Sequence, residues 1–491
     1  MRVDGTLHSR FLEVASAHPD RTAIISGDRV LTYGEVAERS ARLADTVRRA
    51  TTPTDRVAAI CLERGEQVPI AILGILRAGL AYVPVDPAYP ASRREHMLKD
   101  SGAALRVGDG LEVSRADIAP KDVAESTAYV IYTSGTSGKP KGCMVGHEHV
   151  LALLDACDKV FDFGVNDVWS VLHSHSFDFS VWELWGALLH GGCAVILRQH
   201  EVTDPATVAE SLAKHGVTVL NQTPSAFTFL TKECVRSRVV LPDLRYVVFG
   251  GETVRPRDIT RWSDAGVAPT ALIANMYGIT ETTVHVTHGW LDGTTRAGTG
   301  TPIGRPLPHL DVSLRDEQGH PVERGQPGEM WVSGDAVSYG YLDRPVETRT
   351  RFVIDPHTGG CAYRSGDWAI ADPAGELHYI GRKDNQIKLG GFRIELEEVE
   401  AVLREAPGVH SVACGVSTND LGHPVLVAYV VAEQGADENT ARLRRFVATA
   451  LPAHQRPHQV HWLPELPLTG SGKVDRAALA RREVTANGIP A

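Results

Sequence analysis

The chain has little that would tie it to a membrane, a disulfide framework or a nucleic acid. Its longest apolar run, Val68-Pro69-Ile70-Ala71-Ile72-Leu73-Gly74-Ile75-Leu76, is too short to cross a bilayer. The start, Met1-Arg2-Val3-Asp4-Gly5-Thr6-Leu7-His8, lacks the basic-then-apolar form of a secretory signal, so the expected location is cytoplasmic. Cysteine is scarce. The 7 residues Cys61, Cys143, Cys157, Cys193, Cys234, Cys361 and Cys414 are odd in number and have no C-x-x-C spacing, which argues against disulfides and zinc and for buried thiols. A formal charge of −10 is modest for 491 residues and argues against a general nucleic-acid or anionic-membrane surface, so neither partner is expected. No internal repeat or low-complexity linker interrupts the chain.

What remains is an ordinary globular composition, 43% hydrophobic and 22% charged, over a length that suits roughly three domain-sized units. Apolar spacing predicts a helix over 7–17, short strands over 22–26 and 30–32, and a helix opening after Thr32, with Glu35 as its capping-box partner. A strand over 57–61, a helix over 67–77 and a strand through Tyr82-Val83-Pro84 follow, and the alternation continues to about Ala274. That is the pattern of an α/β fold with layered, mostly parallel sheets. From about Gly300 the chain turns to Gly/Pro-rich turns and short alternating runs such as Glu329-Met330-Trp331-Val332-Ser333, a β-rich subdomain. Beyond Asp384 the order helix (396–405), strand (409–416), strand (425–431), helix (441–451) predicts a small α+β C-terminal lid. The expected domains are thus a core over 1–383 and a mobile lid over 384–491, with a hinge near Asp384.

The organising stretch is Val130-Ile131-Tyr132-Thr133-Ser134-Gly135-Thr136-Ser137-Gly138-Lys139-Pro140-Lys141-Gly142, an apolar strand that runs into Gly, Ser, Thr, Lys and Pro. Glycines allow a close backbone approach, while hydroxyls, amides and two ammonium groups suit a polyphosphate. It is not a Walker A loop, because Thr133 stands where the first Gly should be and Pro140 where Ser or Thr should bind magnesium.

This run resembles the phosphate loop of the adenylate-forming enzyme superfamily. Further stretches in the same order resemble its amino-acid-activating branch, the adenylation domains of nonribosomal peptide synthetases. They are Leu31-Thr32-Tyr33, Leu76-Arg77-Ala78-Gly79-Leu80-Ala81-Tyr82-Val83-Pro84, Asn275-Met276-Tyr277-Gly278-Ile279-Thr280-Glu281, Tyr363-Arg364-Ser365-Gly366-Asp367 and Gly470-Ser471-Gly472-Lys473. The resemblance implies ATP and Mg2+. Thr133, Ser134, Gly135, Thr136, Ser137, Gly138 and Lys139 would cradle phosphates; Gly250, Gly251 and Glu252 would line the adenine with backbone. Tyr277 would stack on the adenine and Asn275 would bond its amino edge. Thr280 would meet the α-phosphate and Glu281 would hold the metal. Asp367, with Arg382 beside it, would accept the two ribose hydroxyls. Lys473 would bridge carboxylate, α-phosphate and ribose, and Lys388 would act in a second step in which a carrier thiol attacks the adenylate. Read without the resemblance, Thr280 and Glu281 are a helix N-terminus, Asp367 a turn residue and Lys473 a solvated surface lysine.

Phe177-Asp178-Phe179-Ser180-Val181-Trp182-Glu183-Leu184-Trp185-Gly186 reads as a helix start that Gly191-Gly192 ends. Asp178 alone is an ordinary N-cap; by resemblance it pairs with the substrate ammonium. The pocket carried over from the family is Asp178, Phe179, Trp182, Asn221, Val248, Gly250, Met276, Val284, His285 and Lys473. The set is similar to that of threonine-activating domains. Five apolar residues would meet a methyl, with Asn221 and His285 polar enough to bond a hydroxyl.

The implied partner is a peptidyl carrier protein whose phosphopantetheine arm is supplied in trans. A small MbtH-like helper protein is the other partner the resemblance raises. No condensation-type His-His-x-x-x-Asp occurs and no Gly-Gly-x-Ser carrier motif follows Lys473, which suits either a stand-alone enzyme or an excised domain. The alternatives are an acyl-CoA synthetase or D-alanine-carrier ligase of the same superfamily, and, from another class, an inactive carrier-docking scaffold.

Overall fold

The computed structural model describes residues 5–135, 139–292, 300–382, 386–419, 423–467, 474–476 and 478–480. Contacts divide the chain into two units. The first comprises Met1–Pro87, Met97–Tyr132 and Gly142–Lys383; the second comprises Ala88–His96, Thr133–Lys141 and Asp384–Ala491. A single cut between 383 and 384 assigns two of these segments differently, because contact made through the fold need not follow chain order.

Local signals set the first elements. Thr32 caps the helix Tyr33–Ala50 in a full capping box: the Thr32 amide donates to Glu35 Oε2 at 2.8 Å and the Glu35 amide donates to Thr32 Oγ1 at 3.2 Å. The helices Leu7–Ala17 and Gln67–Arg77 and the strand Thr22–Ser26 form where apolar spacing places them.

Two sheets dominate the first unit. In the six-stranded one the strands Leu105–Val107, Val57–Ile60, Ala81–Pro84 and Thr127–Thr133 lie side by side in parallel. Every residue of Val57–Ile60, Ala81–Pro84 and Thr127–Thr133 is buried, as parallel strands covered on both faces require. The larger sheet carries Thr22–Ser26, Cys193–Ile196, Val168–Val171, Val219–Gln222, Tyr246–Phe249 and Leu272–Tyr277 in parallel neighbourhood. The β-rich region is not separate from it. Thr287–Leu291 pairs antiparallel with both Leu272–Tyr277 and Thr301–Pro306, which carries the sheet on into Leu377–Arg382, Cys361–Ala371 and Pro327–Gly334.

All 11 residues of the helix Phe179–Leu189 are buried. The helix packs so closely on the strand Val168–Val171 that a Cβ at Gly186 would lie 2.5 Å from the Trp169 ring, itself wedged against Trp182 at 5.4 Å.

The second unit has its own core, which includes Ile394, Val399, Leu403, Val412, Ala428, Val430, Leu443 and Val447. The hairpin Gln386–Leu389/Phe392–Glu395 leads into the helix Leu396–Arg404. Pro424–Ala432 then pairs antiparallel with Val409–Thr418 and parallel with Gln459–Trp462, and the helix Thr440–Ala450 completes the α+β form. Within this unit a buried Arg93 bonds Glu398 at 3.0 Å and His454 stacks on Phe392 at 3.8 Å.

The cysteines need one correction. Five are buried, but Cys361, the first residue of its strand, is exposed, and Cys61, just after the strand Val57–Ile60, is half-buried. Among the described residues no helix is long and apolar enough to cross a membrane.

Gly186→Ala tests the packing. Helix propensity favours Ala by up to about 1 kcal/mol, whereas overpacking a rigid indole costs about 1–3 kcal/mol. The clash wins, so the midpoint of chemical unfolding falls; an unchanged or raised midpoint would mean that Trp169 has room to yield.

Candidate active site

The expected site residues of the first unit gather at the carboxyl ends of adjacent parallel strands, where an open α/β sheet leaves its crevice. Asp178 follows Val168–Val171, Asn221 lies in Val219–Gln222, Val248 in Tyr246–Phe249 with Gly250, Gly251 and Glu252 after it, and Asn275, Met276 and Tyr277 end Leu272–Tyr277. Register aligns Asn221, Val248 and Ala274 across three strands, and Phe249 with Asn275.

Asp178 occupies the N-cap position of Phe179–Leu189 and is 5% exposed, yet its side chain makes no capping hydrogen bond. The local role that the sequence alone would assign is therefore not the one it takes. Phe179 and Trp182 follow on the helix, and His285 meets both edge-on, at 5.3 Å and 90° and at 5.1 Å and 84°. Val248, Met276 and Val284 are buried around them.

Asn221 proves to be committed. Its Oδ1 accepts the Trp182 indole N–H at 2.8 Å and its Nδ2 donates to the Ser170 carbonyl at 3.2 Å, so it fixes Trp182 and keeps one lone pair and one N–H beyond these bonds. His285 differs. Both of its ring nitrogens are buried without a hydrogen-bond partner, and burial, helped by His173, lowers its pKa to about 3, which leaves the ring neutral.

The turn that presents Val284 is strained. Thr283 and Val284 both take positive φ, 56° and 65°, a region that β-branched residues avoid. Gly278 makes the turn possible, since a Cβ there would stand 1.8 Å from the Val284 carbonyl oxygen.

Glu281 is wholly buried in the short 3₁₀ turn Thr280–Thr282. Its Oε1 accepts the Tyr341 hydroxyl at 2.6 Å, and Tyr341 in turn lies 3.1 Å from the Tyr363 hydroxyl. The Thr280 carbonyl accepts from Cys143 Sγ at 3.8 Å. Asp367, also wholly buried, faces Arg382 across two strands. Its Oδ1 accepts from Arg382 Nη1 at 2.8 Å and its Oδ2 from the Tyr277 hydroxyl at 2.6 Å. Burial, with this carboxylate beside it, raises the Tyr277 pKa well above the ordinary phenol value. The Asn275 Nδ2 donates to the Pro302 carbonyl at 2.7 Å, which orients Oδ1 the other way as an acceptor. Glu252 Oε2 accepts the Ser225 amide at 2.9 Å and so caps the helix Pro224–Ser237.

Thr133, Ser134, Gly135, Lys139 and Lys388 belong to the second unit. There the Ser134 hydroxyl donates to the Arg393 carbonyl at 3.0 Å, and Lys388 pairs across its hairpin with Arg393. Thr136, Ser137, Gly138, Asp384 and Lys473 lie outside the described residues.

Sequence reasoning missed two contributors and one conformation. Tyr341 stands in a turn-rich stretch with nothing to mark it as the partner of Glu281. The positive φ of Val284 has no Gly or Asn to announce it. Glu183, a lone acid within Val181-Trp182-Glu183-Leu184-Trp185, carried a signal: a charge in a buried apolar helix demands partners. It accepts the Leu172 and His173 amides and His173 Nδ1, at 3.0, 3.1 and 2.9 Å.

Comparison with known proteins agrees with this geometry. Residues 11–123 and 107–342 match the AMP-binding enzyme family, and residues 398–473 match the AMP-binding enzyme C-terminal domain. The chain is 39% identical over 513 residues to a dimodular nonribosomal peptide synthase of Bacillus subtilis (strain 168), across 96% of this chain and 21% of that protein. It is 38% identical to syringomycin synthase SyrB1 of Pseudomonas syringae pv. syringae, across 96% of this chain and 81% of that protein. The chain thus spans about a fifth of the first relative and most of the second. The solved structure of holo-PA1221, an NRPS protein containing adenylation and PCP domains, superposes with a TM-score of 0.84 at 29% identity, covering 97% of this chain and 84% of that one. Motif residues, sheet topology and these likenesses converge: the chain belongs to the AMP-binding, adenylate-forming enzyme family, in the branch of the nonribosomal peptide synthetase adenylation domains.

Proposed function

We propose that the chain activates an amino acid, L-threonine or a close analogue, as its adenylate and passes it to the phosphopantetheine thiol of a peptidyl carrier protein in trans. The observation that carries the amino-acid reading is Asp178, a carboxylate buried at the start of a buried helix whose next turn presents Phe179 and Trp182. A substrate ammonium supplies the opposite charge such a group wants, and a hydrogen bond of this kind is worth about 1.5–3 kcal/mol.

The chemistry needs no nucleophile from the protein. The substrate carboxylate attacks the α-phosphorus of ATP; the new C–O–P link forms as the bond to pyrophosphate breaks. The chain's part is to hold two anions together. The Asn275 Oδ1 suits the amino edge of adenine. Asp367, already an acceptor for Arg382, Tyr277 and, at 3.5 Å, Tyr379, is the carboxylate we assign to the ribose hydroxyls, on the strength of its motif. Glu281, a buried carboxylate, would offer a hard oxygen to a magnesium ion. When bound, that ion would neutralise charge on the triphosphate. We assign Lys473 to the carboxylate and α-phosphate, and Lys388 to the thiol-transfer step about a hinge at Asp384, on the strength of their motifs.

Substrate choice rests on His285. Its two ring nitrogens are buried without a hydrogen-bond partner beside Phe179 and Trp182, and a neutral imidazole can donate to or accept from a hydroxyl. Val248, Met276 and Val284 suit a methyl. In ATP–pyrophosphate exchange threonine should therefore lead. Valine, which leaves His285 unpaired, should fall behind by up to ~10⁴-fold, and serine, one methyl short, by only ~10–200-fold. Equal rates for valine and threonine would remove the hydroxyl contact.

Asp178→Ala should cut amino-acid-dependent exchange by at least about tenfold while ATP binding, followed by calorimetry, stays intact. Normal exchange in that variant would refute the ammonium role.

A further inference from the structure

The helix Phe179–Leu189 divides two spaces. Phe179 and Trp182 look toward His285 and Gly250, while Ser180, Val181 and Leu184 line a separate cleft that is partly open to solvent. Val68, Pro69, Ile72, Val171 and Ile196 make its other walls mostly hydrocarbon, and Arg64, His173 and His175 contribute its polar groups.

His173 belongs to both sides. Its ring lines the cavity and also stacks on Phe179, with centroids 4.3 Å apart and planes at 23°. Phe179 also meets the pocket: His285 lies edge-on to it, and a Cβ on Gly250 would come within 3.2 Å of Cε1. Two stacked rings are thus the partition between pocket and cavity. The His173 ring has little choice of pose, because Glu183, wholly buried, takes both its backbone amide and its Nδ1–H. Glu183 is held in turn by the Leu172 amide. The chain Glu183–His173–Phe179 fixes where the pocket ends.

We propose that His173 is a specificity-determining positioning residue, and that the cavity behind it is a latent extension of the amino-acid pocket, suited to longer apolar side chains such as those of leucine and phenylalanine. The proposal rests on reading this pocket as the amino-acid site. With His173 in place Phe179 has no route to swing and the pocket is short. Without it, the ring can turn into the vacated position and the two spaces join.

The test is ATP–pyrophosphate exchange with threonine, valine, leucine and phenylalanine. His173→Ala should raise the leucine or phenylalanine rate relative to threonine by about 10- to 200-fold, the range that space for one or two extra methylenes commands. Phe179→Ala, which leaves the Glu183–His173 contact intact, should do the same and serves if His173→Ala fails to fold. Ile72→Phe, which fills the cavity from its far wall, should leave threonine exchange unchanged alone and abolish the gain when combined with His173→Ala. Folded variants that keep the wild-type ratio, or a gain that survives Ile72→Phe, would overturn the proposal. A crystal structure of His173→Ala reads the partition without substrate: one continuous space is expected, and a Phe179 ring still closing the wall would overturn it. That readout separates failure here from failure of the threonine assignment, which concerns the wild-type panel alone.

Discussion

Among the buried carboxylates of the first unit, four bear on the candidate site, and their surroundings are built to make that burial tolerable. Glu183, Glu281 and Asp367 are wholly buried and Asp178 nearly so. A buried charge without partners costs several kcal/mol or gives up its ionisation, so each acid dictates its neighbours. Glu183 collects three N–H donors from the segment before the helix. Glu281 takes a tyrosine hydroxyl, and Asp367 takes a guanidinium and another tyrosine. Asp178 stands at the positive end of a buried helix, where the dipole favours a negative charge. The site follows from these requirements. Glu183, through His173, fixes the Phe179 ring beside the pocket.

The same logic explains why the pocket is rigid. Trp182 is tied to Asn221, Asn221 to Ser170, and Phe179 is pressed between His173 and His285. Side chains locked by packing and by hydrogen bonds lose little entropy when a ligand arrives, which is the structural meaning of preorganisation. Strain contributes as well. Two β-branched residues in the left-handed region, Thr283 and Val284, cost about 1–3 kcal/mol each, and the structure holds them there through Gly278 and the Thr283 bond to the Ala336 carbonyl. That turn delivers Val284 and His285 to the pocket.

Much of this was legible in the chain. Helix Leu7–Ala17, the capping box at Thr32 and the alternation through Leu272–Tyr277 follow from local spacing, because one buried face per element sets its period. The motif residues of the first unit, from Asp178 to Arg382, could be named because their chemistry and order were distinctive. Pairings between distant residues were not legible. Nothing near Asn221 told that it would spend its amide on Trp182, and nothing near Tyr341 that it would reach Glu281, 60 positions away. The merging of the β-rich region with the main sheet hangs on two residue pairs between Thr287–Leu291 and Thr301–Pro306, too short a contact for any sequence pattern to announce.

The central claim is that Asp178 and His285 grip the two polar ends of one small amino acid. A crystal structure with a non-hydrolysable threonyl-adenylate analogue tests it most directly. The account predicts the substrate ammonium within hydrogen-bonding distance of the Asp178 carboxylate and the side-chain hydroxyl within the same reach of a His285 ring nitrogen. An ammonium held elsewhere, with Asp178 facing solvent or protein alone, would contradict it.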